Sequence, residues 1–418
     1  MAVRDPRLAL AGEEARAVLA RYGRPLVAAA VAELALPHRD VEAELHSLDE
    51  QLRRLGGLGR RTAHRPALCT GEEAIYLLLP YNVTVAAVWD IVRLVGTGNA
   101  VRVRFSRRAV RLAELVADFA AAAWPGRVMV DQRARDVFLA EALTAGSPAA
   151  ALFAYGGMEL GAGLAGYRGS KKVVFEGPGK DPAIVLPGAD TADVVRQVCA
   201  AKFAYAGQQC VGPETLLVQR AHYESVIDAL ARHFVAARVG DPTDPATDVG
   251  PVASQAVAER ARRQIRQAQQ AGARVVVGGA VAGHLVQPTL VADVRPGMAL
   301  WQEETFAPIL GVAPFDDPDE AAALARTTRF GLCCSIYGTD AAALARRLRG
   351  RPYAHRVPEL RGGQFGVVTA NRAPFTRITD HLAPFGGYGL SGWVWDGRQL
   401  LQGPKCFARE ATVDPQGD

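Results

Sequence analysis

Two residues in this sequence have both the chemistry and the local setting for covalent catalysis. Cys210 sits in AGQQCVGP, a polar, glycine-flanked stretch between a helical segment and an apolar run. Buried structural cysteines seldom have Gln-Gln before them and Gly-Pro after. A loop thiol near backbone amides can be a nucleophile of low pKa. Glu176 directly follows the apolar run 172–175 and precedes Gly-Pro-Gly. That puts its carboxylate at the C-terminal end of a strand, where α/β proteins gather ligands. A low-dielectric setting would raise its pKa and suit it to general-base work. Read alone, it is more simply a turn glutamate capping backbone amides. The other cysteines read as structural: Cys199 lies on an apolar helix face beside Val195, and Cys69, Cys333, Cys334 and Cys406 have apolar or strand-like neighbours.

A third segment invites a different chemistry and fails the test for it. Gly161, Gly163 and Gly166 in GAGLAG satisfy GxGxxG, but that fingerprint needs a strand immediately before it and a helix opening inside it. Here the apolar run ends at Tyr155 and Gly156-Gly157 supplies the turn, so GAGLAG falls inside the next helix. The wider stretch from Gly156 to Gly161 still places a helix N-terminus where a phosphate could sit.

The elements that position these residues alternate. The first 60 or so residues carry apolar positions three and four apart, the mark of helices. From residue 74, short apolar runs at 74–79, 100–105, 128–130, 151–155, 172–175, 183–186, 215–219, 275–279 and 310–315 are separated by amphipathic stretches. A helix is expected over 191–206, closed by Gly207. Strand–helix alternation of this kind predicts an α/β architecture with largely parallel sheets.

Composition agrees with a soluble globular protein: 418 residues, 49% hydrophobic and 22% charged, which excludes collagen-like, coiled-coil and disordered classes. The net charge is only +5, from 48 basic and 43 acidic residues. The basic residues are scattered in pairs such as Arg53-Arg54 and Arg262-Arg263, where a nucleic-acid binder would gather them in one stripe. Apolar runs are too short to span a bilayer. Asp5, Glu13 and Glu14 stand where a signal peptide needs an apolar core. Six cysteines with no CxxC pair fit a reducing compartment. The expectation is a cytoplasmic protein without nucleic-acid or membrane partners, and no metal-ligand spacing is present.

The order of motifs resembles the aldehyde dehydrogenase superfamily across roughly residues 72–415. The carriers are PYN (80–82), TGN (97–99), Gly156…Gly161, EGPGK (176–180), GQQC (207–210), QPT (287–289), EETFAP (303–308) and PFGGYGLSG (384–392). Glu176 and Cys210 are separated as the family separates its base and nucleophile. The resemblance implies a cofactor-binding domain from 1–52 and 72–178, a catalytic domain over 179–392, and oligomerisation strands at 53–71 and 403–415. It further implies that Cys210 attacks an aldehyde, that Asn82 with the Cys210 backbone amide holds the oxyanion, and that Glu176 activates the hydrolytic water. By the same resemblance Glu304 binds the nicotinamide ribose, Phe306 packs near the nicotinamide, and Gly156 and Gly161 let backbone approach the dinucleotide. The implied cofactor is NAD or NADP, and the implied assembly a homodimer or homotetramer.

Departures from the family pattern carry information of their own. Arg104 stands where the family has the lysine that binds the adenine ribose. Arg107 stands where NAD-preferring members often have a glutamate, and arginine can pair with a 2′-phosphate, so NADP is favoured. Pro178 replaces a glycine beside the base. Asp90 and Asp396 align with a lysine and a glutamate that relay protons; negative charge there would raise the pKa of Glu176 and shift the deacylation limb to basic pH. The region before PYN is shorter than usual, and 349–363 reads as an inserted loop near the substrate mouth. Three other functions compete. A CoA-acylating dehydrogenase would often lack the base. A lapsed member would keep the fold without turnover. A cysteine hydrolase would need a histidine partner, and none of the eight is marked by spacing.

Overall fold

The computed structural model describes residues 6–55, 73–350, 355–356, 362–373 and 385–403. The expected oligomerisation segments lie outside them, except that residues 53–55 end a helix and Gly403 follows a strand. So do Cys69, Cys406 and most of the 349–363 loop.

Two long helices open the chain, α1 (Pro6–Leu34) and α2 (His38–Leu55). Then come β1 (Ala74–Leu78), α3 (Ala87–Gly96), β2 (Ala100–Arg104), α4 (Val110–Ala123), β3 (Val128–Val130), α5 (Arg135–Leu143), β4 (Ala149–Tyr155), α6 (Met158–Ala165) and β5 (Lys172–Glu176). The second run is β6 (Asp181–Val185), α7 (Thr191–Phe203), β7 (Pro213–Gln219), α8 (Tyr223–Ala236), α9 (Gln255–Gln270), β8 (Arg274–Val277), a hairpin of β9 (Val281–Ala282) and β10 (Leu285–Val286), and β11 (Thr289–Ala292). It continues with α10 (Ala299–Gln302), β12 (Ile309–Phe315), α11 (Pro318–Ala325), β13 (Cys333–Tyr337), α12 (Ala341–Leu348), β14 (His355–Arg356), β15 (Val367–Ala370), β16 (Gly392–Trp395) and β17 (Leu400–Gln402).

The strands form two large mixed sheets, ordered β14-β17-β16-β5-β4-β1-β2-β3 and β15-β13-β6-β7-β12-β11-β8. Parallel pairing dominates both, as the alternation predicts. The antiparallel exceptions are β16 on β5, its hairpin neighbours, and β8 on β11. Periodicity does not single out β16 and β17, because these short strands are read only by their partner. There, Gly392 pairs with Glu176 and Trp395 with Val173.

Residues 1–70 have no motif to align, yet α1 and α2 belong to the core. Leu26, Ala30 and Leu34 of α1 are buried together with Val88 and Val92 of α3 and Leu112, Val116 and Phe119 of α4. Val41, Leu48 and Leu52 of α2 complete that layer.

The glycines of α6 show how closely helix and sheet meet. A Cβ on Gly161 would lie 2.6 Å from the Phe175 ring, whereas one on Gly163 would meet nothing within 4 Å. Alanine gains about 1 kcal/mol over glycine inside a helix, and overpacking costs about 1–3 kcal/mol. Gly161→Ala should therefore lower the melting temperature and Gly163→Ala should leave it equal or higher. Thermal melts of the two variants check this, and the same shift for both would show that α6 slides freely over Phe175.

Candidate active site

The first sheet ends its strands where the second begins its own. The turn after β1 carries Tyr81 and Asn82, β4 delivers Tyr155 and Gly156, and β5 ends on Glu176. Facing them are the segments that lead into β6, β7 and β12: 177–180, 207–212 and 303–308. Residues far apart in sequence meet along this seam.

Asn82 donates from Nδ2 to the Gln208 carbonyl at 3.0 Å. Tyr81 donates to Gln208 Oε1 at 2.8 Å, which also takes the Ala253 N–H at 2.7 Å. Gln208 Nε2 donates back to the Tyr205 carbonyl at 2.9 Å. The polar side chain before the thiol is thus a buried strut that ties the PYN turn to the cysteine loop.

That loop departs from the expected helix. α7 stops at Phe203, and Tyr205, Ala206 and Gly207 all have left-handed φ, of 54°, 56° and 73°. Two of them are not glycine, and such backbone persists only where its surroundings over-determine it. Here α2 does so: Asp40 accepts the Tyr205 N–H at 2.7 Å, and Glu44 accepts the Tyr205 hydroxyl at 2.8 Å. Glu44 also takes the Ala86 N–H at 2.7 Å and the Thr84 hydroxyl. One carboxylate therefore holds both the PYN side and the cysteine side of the site. Burial raises both acids, Asp40 to about 6. Sequence reading missed them because α2 carries no motif. The available signal was a pair of acids four apart in an otherwise amphipathic helix.

Backbone packing closes the seam. A Cβ on Gly179 would collide with the Cys210 carbonyl oxygen, so only glycine lets the EGPGK turn lie against the cysteine loop. The Gly179 N–H donates to Glu304 Oε1 at 3.0 Å, which brings EETFAP to the same place. Phe306 adopts φ 56° and meets the Tyr81 ring edge-on, 6.2 Å between centroids. Glu176 is buried, 4% exposed, and a Cβ on its strand partner Gly392 would lie 3.4 Å from its Oε2.

The electrostatics correct one expectation. Cys210 is partly buried, and its thiol is pushed above its ordinary value, first by burial and then by the charges of Glu304, Asp181 and Glu176. The protein alone therefore does not make it a thiol of low pKa. Burial, followed by the charge of Glu214, raises Glu304 to about 8. Below that pH the unliganded carboxyl is largely neutral. Cys333 packs in the small apolar cluster that Cys210 and Phe385 border, and its N–H donates to Asp181 at 2.9 Å. Cys199 and Cys334 lie in the large core, as structural residues.

Asp396 does not reach the base. It lies beyond Trp395, whose partner is Val173 at the far end of β5 from Glu176, and it accepts the Arg398 and Gln399 N–H groups of its own turn. A hairpin aspartate is held by the local amides it satisfies. Asp90 does lie near: it pairs with buried Arg93 at 3.7 Å, and both charges act on Tyr155 together with Glu176 and Cys210. Tyr155 is the strand neighbour of Glu176 in register.

On the expected dinucleotide side the residues separate into two kinds. Arg104 is buried, with Nε on the Arg133 carbonyl at 2.8 Å and Nη1 on the Phe105 carbonyl at 3.0 Å. Its guanidinium organises the loop around it. Arg107 is exposed and has no hydrogen-bond or ion-pair partner among the described residues. Gly156 donates its N–H to the Glu176 carbonyl at 3.0 Å, and Gly161 is claimed by Phe175. Both glycines thus have reasons within the fold. Among the described residues no three metal-ligating side chains cluster, and no helix is long and apolar enough to cross a membrane.

The sequence profile of the aldehyde dehydrogenase family matches residues 15–402. A betaine aldehyde dehydrogenase of Cereibacter sphaeroides is 36% identical over 228 residues, 54% of this chain and 44% of that protein. A succinate-semialdehyde dehydrogenase [NADP(+)] of Mycobacterium avium is 35% identical over 247 residues, 58% of this chain and 48% of that protein. The matched stretch thus spans less than half the length of these curated relatives. Among solved structures, glyceraldehyde-3-phosphate dehydrogenase GapN of Methanocaldococcus jannaschii, complexed with NADP, superposes with a TM-score of 0.77 at 22% identity, over 92% of this chain and 84% of that one. Aldehyde dehydrogenase 21 of Physcomitrella patens, in complex with succinate, gives 0.79 at 19% identity, over 93% and 82%. At such identities the likeness speaks to the fold.

Proposed function

The chain belongs to the aldehyde dehydrogenase family, and on that footing we propose that it oxidises an aldehyde to the carboxylic acid with NADP or NAD, through a thioester on Cys210. The observation that carries this reading is the meeting of Asn82, Glu176, Cys210 and Glu304, from four separate segments, along one seam between the sheets.

The steps follow from what each side chain can do. The Cys210 thiolate adds to the aldehyde carbon and forms a thiohemiacetal oxyanion. Asn82 spends one Nδ2 proton on the Gln208 carbonyl; its second N–H, with the Cys210 amide, holds the oxyanion. Bound oxidised nicotinamide supplies the hydride acceptor, and a thioester remains on Cys210. Glu176 takes a proton from water as the water attacks the thioester carbon, and the acid leaves with the thiolate restored. A base so placed favours water over a thiol as the acyl acceptor.

The dinucleotide fits the residues present. Glu304, held by the Gly179 N–H, would hold its ribose, Phe306 would pack near its nicotinamide, and Gly156, in the turn after β4, and Gly161, in α6, would let backbone approach it. Arg104, bonded to the Arg133 and Phe105 carbonyls, would order the loop on the adenosine side. Arg107 is an exposed cation without a partner among the described residues, which favours NADP. In this reading 1–52 with 72–178 form the cofactor-binding unit, 179–392 the catalytic unit, and 53–71 with 403–415 the strands of a homodimer or homotetramer. The cysteines Cys199, Cys210, Cys333 and Cys334 are free thiols, which supports a cytoplasmic setting.

Equilibrium titration with NADP⁺ and NAD⁺, followed by turnover across an aldehyde panel, tests the reading. A charge-assisted hydrogen bond contributes about 1.5–3 kcal/mol. Arg107→Glu should accordingly weaken NADP⁺ binding by about 10- to 100-fold and leave NAD⁺ little changed. An unaltered NADP⁺/NAD⁺ ratio would remove Arg107 from cofactor choice.

A further inference from the structure

The mechanism above leaves one buried ionic cluster unused. Glu214, in β7, is 2% exposed, and the two lysines around it, Lys180 and Lys202, are 2% and 0% exposed. Each carboxylate oxygen takes one lysine and one backbone amide. Oε2 accepts from Lys180 Nζ at 2.7 Å and the Thr305 N–H at 2.9 Å; Oε1 accepts from Lys202 Nζ at 3.0 Å and the Phe306 N–H at 3.3 Å. Lys180 Nζ also reaches Thr305 Oγ1 at 3.4 Å.

Three charges buried for stability alone are a poor arrangement. Taking each ion out of water is costly, and well-packed apolar residues of similar volume often serve as well. What an apolar trio could not do is accept two consecutive backbone N–H groups. Those groups belong to the segment 304–306, where Phe306 sits at φ 56°, a conformation that a bulky residue keeps only where its surroundings over-determine it. Consecutive N–H groups around such a residue make a concavity suited to an anion, and Glu214 is that anion. Lys180 follows Gly179, whose N–H holds Glu304. The cluster therefore grips the Glu304–Phe306 turn from beneath while the EGPGK turn grips it from the side.

We propose that Glu214 is a positioning residue for nucleotide binding: it fixes the turn that presents Glu304 and Phe306, with Lys180 and Lys202 fixing Glu214 in turn. This rests on the reading that Glu304 and Phe306 face the dinucleotide. Burial opposes ionisation of Glu214, but the two lysines outweigh it and bring its pKa down to about 2, so it stays an anion throughout the working range.

The test compares wild type, Glu214→Gln and Glu214→Asp, each checked for folding by circular dichroism. Glutamine keeps the shape without the charge; aspartate keeps the charge but falls short of both amides. Two quantities are measured: the NADP⁺ dissociation constant by titration, and the rate of Cys210 alkylation by iodoacetamide without nucleotide. We expect the dissociation constant to rise at least 10-fold in both variants, with alkylation within 3-fold of wild type. If Glu214→Gln does not fold, Glu214→Asp decides. A folded variant that binds NADP⁺ like wild type overturns the proposal. So does an alkylation rate that falls in parallel with nucleotide affinity, because the effect would then be a general loosening of the site. Wild type that binds neither NADP⁺ nor NAD⁺ overturns the proposed function itself, and the positioning role with it.

Discussion

Cys210→Ala should lose aldehyde oxidation by on the order of 10⁴–10⁶-fold, the scale on which removal of a covalent nucleophile acts. Nucleotide affinity should stay within about 2-fold. The expectation for binding comes from the contacts. The loop is held by Gln208, through Tyr81, Asn82 and the Ala253 N–H, and by Asp40 and Glu44 acting on Tyr205. None of these uses the sulfur. The thiol also stands among the carboxylates of Glu304, Asp181 and Glu176, so its removal relieves the site of a group that would have to ionise there. Rapid-mixing measurements of nucleotide reduction, beside equilibrium titration, check both halves. A variant retaining a tenth or more of the activity would move the nucleophile elsewhere, and Cys333, in the cluster that Cys210 borders, would be the next thiol to substitute. A wild type that binds nucleotide but turns over no aldehyde would instead describe a family member that keeps the fold without the reaction.

The sequence made the α/β alternation legible because strands buried on both faces are continuous apolar runs, as at 151–155 and 183–186, where the observed strands lie. Motif order likewise pointed to Glu176, Cys210, Asn82 and Glu304, which the fold gathers. What could not be read is whatever depends on distant partners. The helix expected over 191–206 breaks at Phe203 because Asp40 and Glu44, some 160 residues earlier, capture Tyr205. Lys180 was visible as the end of a motif, but its partner Glu214 lies in β7 with no local mark of importance. Asp396 failed for the opposite reason: alignment counts residues, whereas the hairpin after β16 carries the side chain away from the base. Acidic residues buried by tertiary contact are the common thread of what was missed, since nothing in their own segment announces the donors they will meet.

Glu176→Gln should complete one turnover and then stall. If Glu176 serves only to activate water, thiol addition and hydride transfer proceed without it. The first mixing with aldehyde and NADP⁺ should then reduce about one nucleotide per active site. Steady-state turnover should fall about 10²–10⁴-fold, the usual contribution of a general base. The substitution keeps the side-chain volume at a residue only 4% exposed, and a neutral amide is less costly to bury than a carboxylate, so the variant should fold as wild type does. Mass spectrometry of the stalled enzyme should find the acyl group on the peptide that contains Cys210. Addition of a small thiol should release it, because a thiol attacks a thioester without the help that water needs. CoA distinguishes the acceptors in the unsubstituted enzyme: release at full rate without CoA marks water as the natural acceptor, and release only with CoA marks an acyl-transferring relative. Undiminished steady-state turnover in Glu176→Gln would remove the base role. Attention would then pass to Tyr155, its neighbour in register across β4 and β5, and to the Asp90–Arg93 pair whose charges reach the same tyrosine.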